Sequence, residues 1–219
     1  MFTQTQKLAV TIWNYKGGVG KSTIALVLSE IAAQQGLNVL AIDLDEQQNL
    51  AHTLGLSAAL FPTLQVRSSL EQEFAEENFN LFIIDTHPSK GDIIKNALNF
   101  ADIVLIPVLG DYHSIINLRS VFDYVIDTGV GDGQIAIVKN CMTSLKMSND
   151  VELMLHQQSY PAAGRLPRSN ILTRNIASGC KWDKSMRGQQ REPFLKLYSN
   201  IWSAYEEMHS GNFHNLWEI

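Results

Sequence analysis

The sequence predicts a doubly wound α/β fold, a mostly parallel sheet with helices on both faces. Three observations support this prediction. Continuous apolar runs rich in β-branched residues recur along the chain, and segments with helical spacing separate them. Runs without a polar face are typical of parallel strands that helices cover on both sides. The early runs also end in glycine-rich or acidic residues, at the sheet edge where such folds bind ligands.

The predicted elements alternate in order along the chain. The first apolar run, residues 8–13, leads into a glycine-rich loop, and residues 22–35 then show helical spacing that ends at Gly36. The other predicted strands are residues 38–43, 81–85, 102–108 and 134–139. The other predicted helices are residues 91–100, 113–127, 149–158 and 193–209. No linker, repeat or low-complexity tract interrupts them, so residues 1–219 are predicted to form one domain.

The composition is that of an ordinary globular protein, with 45% hydrophobic and 18% charged residues among 219. No apolar run reaches the roughly 18 residues of a membrane span, and the amino terminus shows no export signal. Cys141 and Cys180 lack metal-binding spacing and are predicted to be reduced thiols, which favours a cytoplasmic location. The net charge of −5 excludes a uniformly basic surface but permits a local basic face.

The stretch N-Y-K-G-G-V-G-K-S-T, residues 14–23, nearly matches a phosphate-binding loop. Tyr15 stands where the first glycine is expected, and a second lysine, Lys16, follows it. Backbone N–H groups of such a loop surround phosphate oxygens, while Lys21 would neutralise the β- and γ-phosphates and Ser22 would bind a metal ion. The predicted nucleotide-binding residues of the loop are Lys16, Gly17, Gly18, Val19, Gly20, Lys21, Ser22 and Thr23.

Carboxylates follow two of the predicted strands. Asp43 ends residues 38–43 and Asp45 follows two positions later, and Asp85 ends residues 81–85. Carboxyl ends of parallel strands lie at one edge of the sheet, so these acids are expected to face the loop. A chance glycine-rich turn with ordinary strand-end acids is the alternative. The combination favours a nucleotide with Mg²⁺, and Asp85 is the acid expected to hold the metal or its water.

The segments K-G-G-V-G-K-S-T, V-L-A-I-D-L-D-E-Q and I-I-D-T-H-P-S resemble the ParA/MinD family of deviant Walker ATPases. The resemblance continues to L-I-P-V at 105–108 and to Asn140, which it places at the nucleotide. It implies ATP, Mg²⁺ and slow ATP hydrolysis. In this family the lysine at position 16 reaches the phosphates of a partner subunit's ATP, so the resemblance implies an ATP-dependent homodimer. It also implies that Asp45 aligns the attacking water and that Asp43 lies nearer the metal.

Two positions depart from the family pattern, which usually has proline where Glu46 and His87 stand. The resemblance places both in loops that sense the nucleotide, so it defines the rate of hydrolysis and its coupling to switching less closely than nucleotide binding. His87 is either a polar contact or a catalytic base.

The chain lacks a basic amphipathic helix at its carboxyl end, since no lysine or arginine follows Lys196, and membrane binding is not expected. The segment 160–191 is basic instead, with Asp183 as its single acid. Its candidate DNA-binding residues are Arg165, Arg168, Arg174, Lys181, Lys184 and Arg187, with Arg191 beside them. Ser169, Asn170, Asn175 and Trp182 are predicted to assist at backbone phosphates. The alternatives are a solvated face or arginines that clamp the nucleotide.

The resemblance is closest to small ParA-type partition ATPases without an amino-terminal DNA-binding domain. It implies an ATP-bound dimer that holds non-specific DNA of the nucleoid. A ParB-like centromere-binding or adaptor protein would stimulate hydrolysis and release it. Two alternatives stay open: a ParA-like ATPase that positions a protein cargo, and a biosynthetic enzyme of the dethiobiotin synthetase type.

Overall fold

The computed structural model describes residues 7–71, 78–210 and 217. One sheet of seven strands forms its centre. The strands are β1 (Leu8–Ile12), β2 (Val39–Asp43), β3 (Leu64–Arg67), β4 (Leu81–Asp85), β5 (Ile103–Leu109), β6 (Ile135–Met142) and β7 (Ala162–Pro167). The helices of these described residues are α1 (Lys21–Gln34), α2 (Asn49–Ser57), α3 (Asp92–Phe100), α4 (Tyr112–Ile116), α5 (Leu118–Asp127), α6 (Lys146–Gln157), α7 (Asn170–Ala177) and α8 (Gly188–Ser210).

The strand order is β3-β2-β4-β1-β5-β6-β7, and every pairing is parallel. From β1 the chain passes outward to β2 and β3, returns to place β4 between β2 and β1, and then passes outward on the other side through β5, β6 and β7. This is a doubly wound arrangement. Asp43 pairs in register with Asp85, and Ile12 of β1 also lies opposite Asp85. The loop that follows β1 and both strand-end acids therefore lie at one edge of the sheet. The predicted fold class is confirmed.

Apolar side chains fill both faces of the sheet. On one face α1 and α8 cover residues such as Val10, and the buried Trp182 packs among them. On the other face α3, α5 and α6 pack on β5 and β6, with Val104 and Ile106 at the centre. The central strands are buried from end to end, which is why their sequences show no polar alternation.

Four elements of the described residues were not predicted from the sequence: β3, β7, α2 and α7. β3 is an edge strand with no fully buried residue, so L-Q-V-R has no apolar run. β7, at the other edge, reads A-A-G-R-L-P, and its glycine and proline are unfavourable in a strand. α2 and α7 are nine and eight residues long, too short for a clear helical period.

Three predicted helices have different bounds. The predicted helix 113–127 is two helices, because Asn117 leaves the helical conformation with φ −104° and ψ 5°. The predicted helix 149–158 begins earlier, at Lys146. The predicted helix 193–209 begins at Gly188, because Pro193 lies within the early part of α8 rather than at its start.

The carboxyl-terminal segment noted in the sequence falls largely outside the described residues, which exclude 211–216 and 218–219. Trp217 is described: it is buried, and its indole N–H donates a hydrogen bond to the Gly133 carbonyl at 3.0 Å. Among the described helices, none combines the length and the apolar character needed to cross a membrane.

Candidate nucleotide-binding site

The glycine-rich loop joins β1 to the first turn of α1. Gly20 is the N-cap of α1 and has φ 94°, a left-handed conformation that L side chains rarely adopt. A Cβ atom at Gly20 would also overlap the Asn140 side-chain amide, which donates to the Val19 carbonyl at 2.8 Å. No side chain caps the amino terminus of α1, so its first N–H groups are left for an anion.

Asn14 fixes the start of the loop and was missed by the sequence analysis. Its side chain is buried, donating to the Pro107 carbonyl of β5 at 2.9 Å and accepting from the Lys16 N–H at 2.9 Å. A buried amide directly after a strand was the available signal, because such a group must find partners. Asn14 thus ties the loop to the neighbouring strand.

Lys21 lies inside the loop. Its ammonium is largely buried and donates to the carbonyls of Asn14 at 3.2 Å and Lys16 at 3.5 Å. Burial lowers the pKa of Lys21, and the nearby charges of Asp85 and Asp45 oppose that effect. The lysine is therefore held between the loop carbonyls and the strand-end acids, where a phosphate group would supply its countercharge.

Asp85 differs from the other acids of the site in its burial and hydrogen bonding. It is fully buried, and neither carboxylate oxygen has a hydrogen-bond partner. Burial raises the pKa of Asp85 to about 7, although the neighbouring Ser22 hydroxyl and Lys21 act in the opposite direction. A buried carboxylate without a partner is costly, and a bound cation removes that cost. Asp85 and Ser22 are thus chemically suited to hold Mg²⁺, which prefers oxygen ligands.

Asp43 and Asp45 organise the turn that follows β2. Asp43 accepts from the N–H groups of Asp45 at 3.1 Å and of Ala51 at 2.8 Å, so it holds the first turn of α2. Asp45 accepts from the Gln47 N–H at 2.9 Å and is half-buried. Both oxygens of Asp43 already have backbone donors, whereas those of Asp85 have none. Asp85 therefore has the greater capacity for a metal ion.

Lys16 has a partner within its own chain. Its ammonium lies 3.2 Å from Asp111 Oδ1 and 3.0 Å from Ser114 Oγ. Burial alone would raise the pKa of Asp111, but Lys16 and the Ser114 N–H hold it below its ordinary value. Asp111 was not predicted from the sequence as a residue of the site. Its signal was the Asp-x-x-Ser spacing of an N-cap, since Asp111 accepts from the Ser114 N–H at the start of α4.

Tyr15 packs where the common loop has glycine. Its ring lies edge-on to Trp13, with centroids 6.3 Å apart, and the Lys90 ammonium lies 5.7 Å from the ring centroid. Its hydroxyl donates to the Asn117 carbonyl at 3.4 Å. Tyr15 therefore connects the loop to the segment after β4 and to the junction of α4 and α5. Glycine is not required here because the backbone of Tyr15 does not adopt the left-handed conformation that favours glycine.

His87 lies two residues after the end of β4, at the sheet edge that carries the nucleotide loop. It lines a cavity of about 190 Å³ together with Leu44, Glu46 and Lys90. The two positions that depart from the family pattern therefore face one space. Among the described residues, no group of three histidine, cysteine or acidic side chains could hold a metal ion. Cys141 and Cys180 are free thiols.

The basic segment spans β7, α7 and the turn before α8. Arg165 pairs with Glu152 at 3.1 Å and Arg191 with Asp183 at 2.9 Å, so both cations are partly neutralised. The Lys181 ammonium lies 5.8 Å from the centroid of the Phe61 ring. Exposed cations remain on the surface of this segment: Arg168, Arg174, Lys181, Lys184 and Arg187.

The prediction that Asn175 and Trp182 assist at DNA phosphates is wrong. Trp182 is fully buried, and Asn175 donates to the carbonyls of Trp182 at 2.9 Å and Lys184 at 2.6 Å. Ser169 caps α7 by accepting from the Leu172 N–H at 3.1 Å. Packing and capping use these side chains, because polar groups buried beside Trp182 must find hydrogen-bond partners.

Glu30 holds the turn that contains Trp182, and this role was not predicted from the sequence. This buried side chain of α1 accepts from the Trp182 N–H at 2.8 Å and from the Ser57 hydroxyl at 3.0 Å. Burial raises the pKa of Glu30, while the Trp182 and Ser57 donors act against it. An acidic residue on an otherwise apolar helix face was the available signal. Glu30 joins the nucleotide-side helix α1 to α2 and to the basic segment.

Comparison with known proteins assigns the family. The model of the CobQ/CobB/MinD/ParA nucleotide-binding domain matches residues 10–179. The chain belongs to this family. The resemblance seen in the sequence is thereby confirmed, and the two-lysine loop, the strand-end acids and Asn140 all lie inside the matched range.

Two curated relatives carry partition or sporulation names. The sporulation initiation inhibitor protein Soj of Bacillus subtilis is 28% identical over 161 residues, covering 53% of the chain and 64% of Soj. The chromosome-partitioning ATPase Soj of Thermus thermophilus is 27% identical over 140 residues, covering 48% of the chain and 56% of that protein. The matches thus take in less than two thirds of either relative's length.

Solved structures share the fold. A proposed plasmid partition protein from Borrelia burgdorferi, bound to AMPPNP, is 19% identical with a TM-score of 0.71, covering 93% of this chain and 100% of that one. The septum site-determining protein MinD of Pyrococcus horikoshii, complexed with Mg-ADP, is 15% identical with a TM-score of 0.73, covering 96% and 100%. Both were solved with a nucleotide, but at these identities the likeness shows the fold alone.

Proposed function

We propose that the protein is an ATPase that dimerises on ATP and Mg²⁺, holds non-specific DNA as a dimer, and serves DNA partition. The single observation that carries this proposal is the placement of the two loop lysines. Lys21 lies buried inside the loop, whereas the Lys16 side chain is 34% exposed at its rim. One lysine therefore suits the phosphates of its own subunit, and the other can face a second subunit.

Residues 17–23 would hold the phosphates of ATP through backbone N–H groups at the uncapped start of α1. Lys21 would supply the countercharge, and Asn140 would keep Gly20 and Val19 in place from β6. Asp85 and Ser22 would hold Mg²⁺, with Asp43 supporting the turn beside them. When bound, the metal neutralises charge on the β- and γ-phosphate oxygens.

Hydrolysis requires a carboxylate that orients water. Asp45 fits this role because it is half-buried and close enough to Lys21 for its charge to oppose, in part, the lowering of that lysine's pKa by burial. Phosphoryl transfer depends mainly on positioning and charge, so one such acid supports slow turnover. His87 lines a separate cavity on the Glu46 side and is a secondary candidate.

Dimerisation would bring two triphosphates into one interface. Uncompensated charge there is costly, and a Lys16 donated from each side would offset it. A two-fold arrangement of this kind closes on itself and gives a dimer. The exposed cations of the basic segment would form a stripe for DNA phosphates, with Arg165 contributing less because Glu152 pairs with it. A ParB-like centromere-binding or adaptor partner would stimulate hydrolysis and release the DNA.

A ParA-like ATPase that positions a protein cargo is the second candidate. The ion pairs Arg165–Glu152 and Arg191–Asp183 favour it, because they reduce the free positive charge of the proposed DNA surface.

The test is ATPase activity and DNA binding with purified protein. We expect ATP and Mg²⁺ to produce a dimer by light scattering and to increase affinity for non-specific duplex DNA. Lys16→Ala should keep ADP binding and lose the dimer. A protein that dimerises on ATP but shows no salt-sensitive DNA affinity would favour the cargo function. A protein that neither dimerises nor hydrolyses ATP would refute both candidates.

A further inference from the structure

The loop between β4 and α3, residues 86–91, makes contacts that the proposed function does not use. It begins directly after Asp85, neither of whose carboxylate oxygens has a hydrogen-bond partner. The position of that carboxylate therefore depends on how the chain beside it is held. The first contact beyond β4 is that of Thr86, whose buried hydroxyl donates to the Ile12 carbonyl of β1 at 2.8 Å.

Trp13 makes a second contact with this loop. It follows β1 and directly precedes the nucleotide loop, residues 14–23. The Trp13 side chain is fully buried, and its indole N–H donates to the Ser89 carbonyl at 3.0 Å. The backbone of Trp13 is fixed in turn, because its N–H donates to the Leu105 carbonyl of β5 at 3.0 Å. Trp13 thus connects the loop after β4 to the start of the nucleotide loop.

Two tyrosine rings receive the side chain of Lys90, the next residue of the loop. The Lys90 ammonium lies 4.7 Å from the centroid of the Tyr124 ring and 5.7 Å from that of Tyr15. A cation within about 6 Å of an aromatic centroid is attracted to the ring. Tyr124 also packs on Trp13, with centroids 4.9 Å apart, and its hydroxyl accepts from the Gly91 N–H at 3.3 Å. We call Trp13, Tyr15 and Tyr124 the aromatic clamp.

The other side of the loop faces open space. His87, Ser89 and Lys90 line the cavity of about 190 Å³ that Leu44 and Glu46 also border. A cavity of this size leaves room for the loop to shift. Because one side of the loop is held and the other is free, the aromatic clamp decides where the loop rests.

We propose that Lys90 is a positioning residue: the aromatic clamp binds it, and the loop 86–91 thereby keeps Asp85 in place for Mg²⁺. The inference rests on the proposed function, because it assumes that Asp85 holds the metal of a bound nucleotide. A cation–π contact at an exposed site contributes a factor of about 2–5 to an equilibrium constant. Removing it should favour displaced positions of the loop by that factor. The phosphate contacts belong to the nucleotide loop, so binding without metal should not change.

Amide hydrogen exchange in the nucleotide-free full chain tests the clamp itself. Lys90→Gln removes the cation, and the N–H groups of residues 86–91 should then exchange roughly 2- to 5-fold faster. Lys90→Arg keeps a cation that can lie over the rings, so its loop should exchange at the wild-type rate. Lys95→Gln, at an exposed lysine of α3, is the matched control and should leave the loop unchanged. Tyr124→Phe keeps the ring but removes the acceptor of the Gly91 N–H, so this N–H should exchange faster.

Calorimetry with AMPPNP separates the metal from the phosphates. In EDTA, Lys90→Gln should bind AMPPNP as the wild type does. With Mg²⁺, it should bind roughly 2- to 5-fold more weakly, and Lys90→Arg should restore the affinity. This rescue would not be expected if Lys90 only filled space.

Three results would overturn the inference. The first is loop exchange in Lys90→Gln at the wild-type rate. The second is faster exchange with unchanged affinity in Mg²⁺, since the clamp would then have no role at the metal. The third is an equal loss of affinity in EDTA and in Mg²⁺, which would move the effect to the nucleotide loop. A wild type that binds no AMPPNP would instead refute the proposed function, and with it the role of Lys90 at the metal.

Discussion

Replacing Glu30 tests the junction between the nucleotide site and the basic segment. Glu30 is 1% exposed, and its two oxygens accept from the Trp182 N–H and the Ser57 hydroxyl, which are themselves buried. Glu30→Ala would leave the Trp182 N–H without an acceptor, at about 1–3 kcal/mol. The cost at the Ser57 hydroxyl is smaller, because this donor also contacts the Leu54 carbonyl at 3.4 Å.

The vacated space adds a cavity cost, while the absence of a buried carboxylate offsets part of the loss. We expect a net loss of about 2–4 kcal/mol in the free energy of unfolding. For a chain of this size, that corresponds to a melting temperature lower by roughly 5–15 °C. Glu30→Gln keeps the size and one good acceptor, so it should lose about half as much.

Thermal unfolding followed by circular dichroism measures the effect. Glu206→Ala, an exposed glutamate of α8, is the matched control and should leave the melting temperature unchanged. A Glu30→Ala variant that melts with the wild type would refute the view that Glu30 anchors the turn at Trp182.

The pH dependence adds an independent check. Burial raises the pKa of folded Glu30 above its ordinary value of 4.5. The folded state therefore keeps this proton at pH values where the unfolded chain has released it. Stability from this group is complete below the ordinary pKa and is lost as pH rises through the raised pKa. Relative to Glu30→Gln, the wild type should therefore lose stability as pH rises above 4.5. A constant difference across pH would contradict the assignment.

Further predictions concern the nucleotide and DNA. Lys21→Ala should abolish ATP binding by removing the main phosphate countercharge. If calorimetry shows micromolar affinity for ATP in a folded Lys21→Ala variant, the assignment of this loop as the nucleotide-binding site is wrong. Asp45→Ala should bind ATP and dimerise but hydrolyse poorly; wild-type turnover in a phosphate-release assay would move catalysis elsewhere. Replacing Arg168, Arg174 and Arg187 together by alanine should weaken all DNA sequences alike while the ATP-dependent dimer survives. Fluorescence anisotropy at several salt concentrations should show the slope of log affinity against log salt reduced by up to about 5 in a dimer. An unchanged slope would mean that these arginines do not contact DNA.

The sequence by itself determined the sheet class and the chemistry of the loop. Both signals are local: central strands are apolar from end to end, and the phosphate loop is a contiguous run between a strand and a helix. The acids at Asp43 and Asp85 follow from the same rule, since parallel strands end at a common edge. These features can be predicted without knowing any contact between residues that are far apart in the sequence.

Tertiary structure decided what each polar side chain does. Asp111 meets Lys16 across 95 positions of sequence, and Glu30 meets Trp182 across 152, so no local pattern marks either pair. Trp182 appears in a basic stretch yet lies in the core, because burial depends on which helices cover the turn. The edge strand β3 escaped detection because none of its residues is fully buried, so its sequence needs no apolar run. The phosphate loop could be predicted because its functional residues are adjacent in the sequence. Side-chain contacts between residues far apart in the sequence could not be predicted, because only the packing of the folded chain brings those residues together.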